Sequence, residues 1–272
     1  MQDLIRIINK KRGQTPLDCI NELKKADQKL VHLPMAYAGR LDPLAEGLLI
    51  ILIGDECLKK DEYLKLSKEY EVEVLFGFAT DTYDVMGLIT SFVDQAKSKV
   101  VFETVWPSFQ KNLARRSEDL SNTTFDEALD KFTGRIKQSY PPYSSRTVKG
   151  LPLFKWARDG KLDEIEIPTH DVFVESIEII KNYEITGKDL LEKIQNDINS
   201  VEGDFRQKEI LINWTDVLSD KKEENYKTIT LKIVCGSGVY VRGIANDLGP
   251  HLGIPALALN IKRTKVGEYK IN

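Results

Sequence analysis

Residues 38–49 read Ala38-Gly39-Arg40-Leu41-Asp42-Pro43-Leu44-Ala45-Glu46-Gly47-Leu48-Leu49. They set one aspartate inside a glycine-rich turn, directly ahead of an apolar run from Leu48 to Ile53. A carboxylate held there can serve as a nucleophile or as a fixed negative charge beside a cationic transition state. Nothing else in the chain looks like a catalytic centre. His32, His170 and His251 lack metal-ligand spacing, no Cys-x-x-Cys occurs, and Cys19, Cys57 and Cys235 are odd in number and scattered. That predicts reduced thiols and no structural zinc. Leu-Asp-Pro also has a simpler use, with Asp as N-cap and Pro as the first helical residue. Turn chemistry alone favours that capping role.

The elements around Asp42 come from periodicity and punctuation. Leu4 to Ile8 reads as a short strand, and Thr15-Pro16 opens a helix carrying Leu17, Ile20, Leu23 and Leu30. Leu48 to Ile53 fits a buried strand or a buried helix equally well. Tyr70-Glu71-Val72-Glu73-Val74 alternates, so Tyr70 shares a strand face with Val72, Val74 and Phe76. That pattern is also what a core tyrosine would show. Thr124-Phe125-Asp126-Glu127 is a capping box for a helix that stops at Gly134. Pro141-Pro142 ends regular structure. Phe173 to Ile180 and Lys227 to Cys235 read as strands. Between them, Gly187 to Asn225 holds an amphipathic helix (Leu190, Leu191, Ile194, Ile198) and a charged tail. Val239 to Leu252 looks helical, and Ala256 to Ile271 supplies closing strands.

At 272 residues and 42% hydrophobic, the chain can bury the core of one domain with embellishments. There is no apolar run of membrane-spanning length, and Met1 to Arg12 lacks the hydrophobic centre of a signal peptide. A cytoplasmic protein with no membrane partner is expected. The net charge of −3 argues against nucleic acid, but its distribution does not. From Gly134 to Lys161, Arg135, Lys137, Arg146, Lys149, Lys155, Arg158 and Lys161 face a single acid, Asp159. Such a run is ordinarily a solvated face. Here Tyr140, Tyr143, Phe154 and Trp156 interleave with it and offer stacking surfaces beside phosphate-binding charges, as RNA binding requires.

The dodecamer around Asp42 resembles the Gly-x-Leu-Asp-Pro-x-Ala-x-Gly-x-Leu motif of the TruB family of pseudouridine synthases. Further segments match that family in the same order. Asn9-Lys10-Lys11-Arg12-Gly13-Gln14-Thr15 is similar to its amino-terminal Lys-Pro-x-Gly-x-Thr, with Lys11 where the proline stands. Lys68-Glu69-Tyr70-Glu71-Val72 matches the active-site tyrosine segment, and Gly77 to Gly87 resembles the Thr-Asp-Thr-x-Asp-x-x-Gly loop. Gln138 to Ser145, Lys149-Gly150 and Leu153 to Arg158 look like an RNA-clasping thumb. Gly236-Ser237-Gly238-Val239-Tyr240-Val241-Arg242 is similar to Lys-Gly-Thr-Tyr-Ile-Arg.

The resemblance implies an α+β pseudouridine synthase fold, with a mixed, mostly antiparallel central sheet flanked by helices and a thumb loop at about residues 137–168. It makes residues 1–272 a single catalytic domain with a peripheral insertion at about 187–225 and no carboxyl-terminal RNA-binding module. The implied reaction breaks the N1–C1′ bond of uridine, turns the base and joins C5 to C1′, so no cofactor is implied. Asp42, Tyr70 and Arg242 take the catalytic positions. Burial disfavours a charged carboxylate, and Arg242 corresponds to the arginine that keeps it ionised. Without the family it would read as a surface arginine. Tyr70 would stack on the flipped base and assist proton transfer at C5. Tyr240 and Ile261 would line the uracil pocket, and Lys10, Gly39, Arg40, Lys149, Lys155 and Arg158 would meet the RNA. Tyr37 stands where the family usually has a histidine that fills the gap left by the flipped base. The implied partner is the T-arm of tRNA, at position 55, for a monomer needing no protein partner. The alternatives are a synthase of another RNA, such as ribosomal RNA, and a non-catalytic RNA-folding protein.

Overall fold

The computed structural model describes residues 5–93 and 124–271. Leu4 and the side chain of Thr124 lie outside them, so the strand start and the capping box expected there are not described.

Nine of the described strands form one sheet in the order β1-β3-β12-β4-β11-β10-β7, with β2 beside β3 and β13 beside β12. Their ranges are β1 Ile5–Lys10, β2 Met35–Ala38, β3 Ala45–Ile53, β4 Lys68–Phe76, β7 Gly134–Ser139, β10 Thr169–Thr186, β11 Asn225–Cys235, β12 Ala256–Val266 and β13 Tyr269–Lys270. Only β3 and β12 pair in parallel; the other pairings are antiparallel. Two hairpins stand apart, β5 (Phe78–Thr80) with β6 (Ile89–Phe92), and β8 (Thr147–Val148) with β9 (Leu151–Pro152).

The apolar run from Leu48 is strand, and burial on both faces is the reason. Leu49, Ile51 and Ile53 pack with Cys19, Ile20 and Leu30, beneath helix α1 (Pro16–Ala26). Leu48, Ile50 and Leu52 pack the other way, with Ala38 and Val266. A strand covered on both sides has no polar face to alternate with. The helix α1 begins as expected: Thr15 Oγ1 accepts from the Asp18 N–H, and the Asp18 carboxylate accepts from the Thr15 N–H at 2.7 Å. Leu30 belongs instead to a separate short turn, Gln28–Leu30.

On β4, Tyr70, Val72, Val74 and Phe76 share one buried face with Ile229, Leu231 and Ile233 of β11. Helices α3 (Thr124–Asp130) and α7 (Val241–Leu252) cover it through Phe125, Leu129, Ile244 and Leu248. Two further short helices are α2 (Lys60–Lys65), ahead of β4, and α4 (Leu153–Arg158), directly after β9.

The opposite face carries a correction. Residues 187–225 are not a peripheral helix with a charged tail. They form two helices, α5 (Gly187–Asn199) and α6 (Gln207–Leu218). Leu190, Ile194, Ile198, Ile210, Trp214 and Leu218 are fully buried against Leu75, Leu257 and Leu259 of the sheet and Phe78. Burying six such side chains is worth roughly 10 kcal/mol before entropy is counted, too much for an appendage. The charge in this segment masked an i, i+4 pattern, Ile210–Trp214–Leu218, that marks a buried helix stripe.

Candidate active site

Asp42 caps no helix. Its carbonyl accepts from the Ala45 N–H at 3.0 Å, closing a turn that leads straight into β3. The proline sits at the second turn position, where its fixed φ is already suitable. Three successive carbonyls of that turn are taken by the amino-terminal segment. Pro43 O accepts from the Gly13 N–H (2.9 Å) and Lys10 Nζ (3.1 Å), Leu44 O from Arg12 Nη1 (2.9 Å), and Ala45 O from Lys10 Nζ (2.5 Å). Lys10, expected at the RNA, is therefore fully buried and spends its ammonium on the backbone beneath Asp42. Burial pulls its pKa down to about 8, with Cys19 and Asp42 opposing.

Gly47, one turn on, faces β12. A Cβ there would lie 2.3 Å from the Arg263 carbonyl oxygen, and φ is +104°. No other residue type fits both restrictions.

Arg242 opens α7 and is 3% exposed. Its Nε donates to Asp42 Oδ2 at 2.9 Å, Nη1 to Thr82 O at 2.5 Å and Nη2 to Tyr143 O at 2.9 Å. One guanidinium thus joins the Asp42 turn, the loop after β5 and the expected thumb segment. Burial works against its charge, but Asp42 and Asp84 hold its pKa above the ordinary arginine value. Asp84, buried, accepts from Thr82 Oγ1 (2.7 Å) and the Met86 N–H (2.9 Å). Burial pushes its carboxyl up despite Arg242. The Asp42 side chain keeps 35% of its surface open beside this buried cation.

Tyr70 is 8% exposed and lies opposite Arg263 in the β4–β12 register. Burial raises its hydroxyl pKa against the opposing Arg263 cation. Arg263 donates to Leu48 O (2.7 Å) and Gly39 O (3.1 Å) and so ties the glycine turn to β3. Ile261, buried, is flanked by Ala45 and Val72 in register and lines a crevice with Asp42, Asp84 and Arg12. Tyr240 precedes α7. Gln138 holds its backbone from both sides, donating to Tyr240 O and accepting from Tyr240 N–H, each at 2.9 Å. The Tyr240 ring meets Tyr140 edge-on at 5.8 Å.

The RNA-facing candidates are less uniform. Lys149, Lys155 and Arg158 are exposed, Lys149 Nζ donating to Glu164 O and Arg158 pairing with Asp204 at 3.4 Å. Arg40 is exposed and donates to the Tyr37 hydroxyl at 3.1 Å. The half-buried Tyr37 ring leans on the cluster of Leu49 and Ile51.

Sequence reading missed Arg12, Gln138 and Arg263. Only their side chains' long-range bonds reveal them, since an Arg or Gln in a strand or loop carries no signal of its own. Among the described residues, no group of His, Cys, Asp or Glu could hold a metal ion, and no helix is long and apolar enough to cross a membrane.

A nine-stranded mixed sheet, an aspartate turn leading into a strand buried on both faces and a buried arginine reaching that aspartate define the class: this is the pseudouridine synthase fold. The sequence then gives the particular family. The family model described as TruB family pseudouridylate synthase (N terminal domain) matches residues 28–116 and 108–190, and the chain belongs to that family. It is 28% identical over 271 residues to a tRNA pseudouridine synthase B of Borrelia garinii subsp. bavariensis, covering 100% of this chain and 72% of the relative. It is 29% identical to a protein of the same name from Lactobacillus gasseri, covering 98% and 70% respectively. Among solved structures, a chain in a Cbf5-Nop10-Gar1 complex superposes with a TM-score of 0.54 at 14% identity. That match covers 98% of this chain and 50% of the other, so this chain spans half the length of that structural relative.

Proposed function

We propose that this chain isomerises uridine to pseudouridine in the T-arm of tRNA, at position 55, acting as a monomer without a cofactor. The observation that carries the proposal is the Asp42–Arg242 pair, a carboxylate open to a ligand and held against a buried guanidinium. The names of the relatives support tRNA as the substrate.

In this reading Asp42 meets C1′ of the flipped nucleotide as the bond to N1 breaks, and its charge balances the cationic sugar. The base turns, C5 joins C1′, C5 loses a proton and N1 gains one, so atoms balance without a donor. Tyr70 supplies a stacking ring. Burial keeps its hydroxyl protonated at neutral pH, which suits a hydrogen-bond donor or relay rather than a resting base. Tyr240 and Ile261 flank the base, and the domain from 1 to 272 acts as one catalytic unit with α5 and α6 built into it.

Mapping pseudouridine in transcribed tRNA and in ribosomal RNA fragments after incubation with the protein tests the proposal. Modification at the T-arm uridine supports it. Modification of ribosomal RNA alone, or refolding of tRNA without modification, transfers the chain to one of the alternatives.

The exposed basic residues give a second expectation. Replacing Lys149, Lys155 and Arg158 by Ala should weaken tRNA binding and flatten its salt dependence by up to about one log–log unit per lost phosphate contact. An unchanged slope would leave them as a solvated face.

Tyr37 gives a third. If the ring fills the space of the flipped uridine, Tyr37→Ala slows single turnover on an intact T-arm more than on one weakened by mismatches, whose unstacking costs less than the few kcal/mol (~3) of a paired helix. Tyr37→His should then restore most of the rate. Equal losses on both RNAs, with a lower melting temperature, would assign the ring to packing alone.

A further inference from the structure

Arg206 lies in the loop between α5 and α6, within the segment that sequence reading had set aside as peripheral. Its guanidinium makes a forked pair with Asp81, Nη1 to Oδ2 at 2.7 Å and Nη2 to Oδ1 at 3.2 Å. Its guanidinium carbon also lies over the Tyr143 ring, 4.4 Å from the centroid. Both members of the ion pair are largely shielded, at 17% and 23% exposure. Asp81 is itself fixed, since its Oδ1 accepts from the Leu88 N–H at 2.9 Å. Burial, then Asp81, pushes the Tyr143 hydroxyl up to about 12, so that ring stays neutral beside the pair.

The segments joined in this way are the two that orient Arg242. That arginine donates to the carbonyl of Thr82, next to Asp81, and to the carbonyl of Tyr143 itself. Arg206 therefore fastens from outside the same two strips of backbone that fix Arg242 from inside, and Arg242 in turn meets Asp42. The backbone at Arg206 points to the same role. Its φ of +64° is left-handed, and its side chain makes no cap to α6. Glycine or asparagine would sit there with less strain, and a strained residue persists where its side chain is needed. A neighbouring tie runs the same way, Asp204 accepting from Arg158 of α4. The helix pair that carries the loop is anchored in the core by Trp214 and Ile198, so the clamp has a rigid base.

We propose that Arg206 is a positioning residue for the isomerisation: by clamping Asp81 to Tyr143 it holds the two carbonyls that aim Arg242 at Asp42. The inference rests on the functional reading given above. It assigns the α5–α6 unit a task in catalysis, where a shift of about 1 Å in a catalytic group can cost a hundredfold in rate.

The test compares Arg206→Ala and Arg206→Lys with the parent protein in two measurements. The first is single-turnover pseudouridine formation on a T-arm RNA at saturating protein, with the RNA dissociation constant and melting curve for each variant. Arg206→Ala should lose about tenfold or more in rate. Its melting temperature should stay within about 3 °C, because Asp81 keeps its bond from the Leu88 N–H and α5 and α6 are anchored by their own buried side chains. Arg206→Lys should recover part of the rate, keeping the charge for Asp81 but not the two-pronged pair with its carboxylate. The second measurement is backbone hydrogen exchange without RNA. In Arg206→Ala, residues 79–88 and 139–148 should exchange faster while β4 and β11 do not change. An unchanged rate at saturation overturns the proposal. So does a loss confined to RNA affinity, which would make Arg206 a simple RNA contact, and so does unaltered exchange in both segments. If the parent protein forms no pseudouridine, the functional reading fails instead, and hydrogen exchange still decides whether the clamp exists.

Discussion

Asp42→Asn is expected to abolish pseudouridine formation while leaving tRNA affinity within a few-fold of the parent. The amide has the same shape and can still accept from Arg242 Nε, the contact now made at 2.9 Å, so the turn and the buried guanidinium keep their places. The turn itself is held by Lys10, Arg12 and Gly13 through the carbonyls of Pro43, Leu44 and Ala45, none of which the substitution touches. Only the charge goes, and with it the nucleophile or counter-charge that the sugar needs. A loss of at least about a thousandfold follows from removing such a group. Single-turnover assays and binding isotherms on the same RNA check it. Turnover within tenfold of the parent would remove Asp42 from the chemistry.

Arg242→Lys should produce the second largest effect, and a broader one. A guanidinium in this position serves an acid and two carbonyls in three directions. A single ammonium on a shorter reach cannot satisfy all three. At least one carbonyl, of Thr82 or Tyr143, is left without its buried donor, at a cost of about 1–3 kcal/mol in stability. The rate should fall by about a hundredfold or more because Asp42 is no longer aimed. Tyr143 belongs to the expected thumb, so RNA affinity should weaken too, which separates this variant from Asp42→Asn. Melting curves, binding and single-turnover rates together check the pattern. A lysine variant with parental rate would show that only positive charge, and not orientation, is required here.

Much of the fold was legible in the chain because local chemistry and burial agreed. Thr15-Pro16 opened α1 through its own capping box, and the alternation from Tyr70 to Phe76 set one face of β4 against the core. The motif around Asp42 could be recognised as a unit because its glycines answer local demands. Gly47 must accept a neighbouring backbone within contact distance, and a motif survives as a pattern where such restrictions leave one residue type.

What failed to read was set by partners distant in sequence. Leu-Asp-Pro suggested a helix cap, but the amino-terminal segment takes the turn's carbonyls and β3 draws the chain into the sheet, so the same three residues make a turn. Leu48 to Ile53 was open between helix and strand until its neighbours β1 and β2 supplied ladders on both sides. The charged composition after Gly187 concealed a core helix, because a helix needs only a stripe of apolar residues and the rest of its surface is free to carry charge.

By itself the sequence determined the family, the motif around Asp42 and those elements, such as α1 and β4, whose signals are local. Tertiary structure alone decided that Arg242 is buried against Asp42 across 200 residues of chain, that the buried Lys10 ammonium donates to the carbonyls beneath Asp42, and that Arg206 closes on Asp81 and Tyr143. The physical reason is one and the same. Propensity and periodicity act over a few residues, whereas the ionisation and aim of a carboxylate depend on charges and donors within about 4–6 Å in space, wherever in the chain they arise.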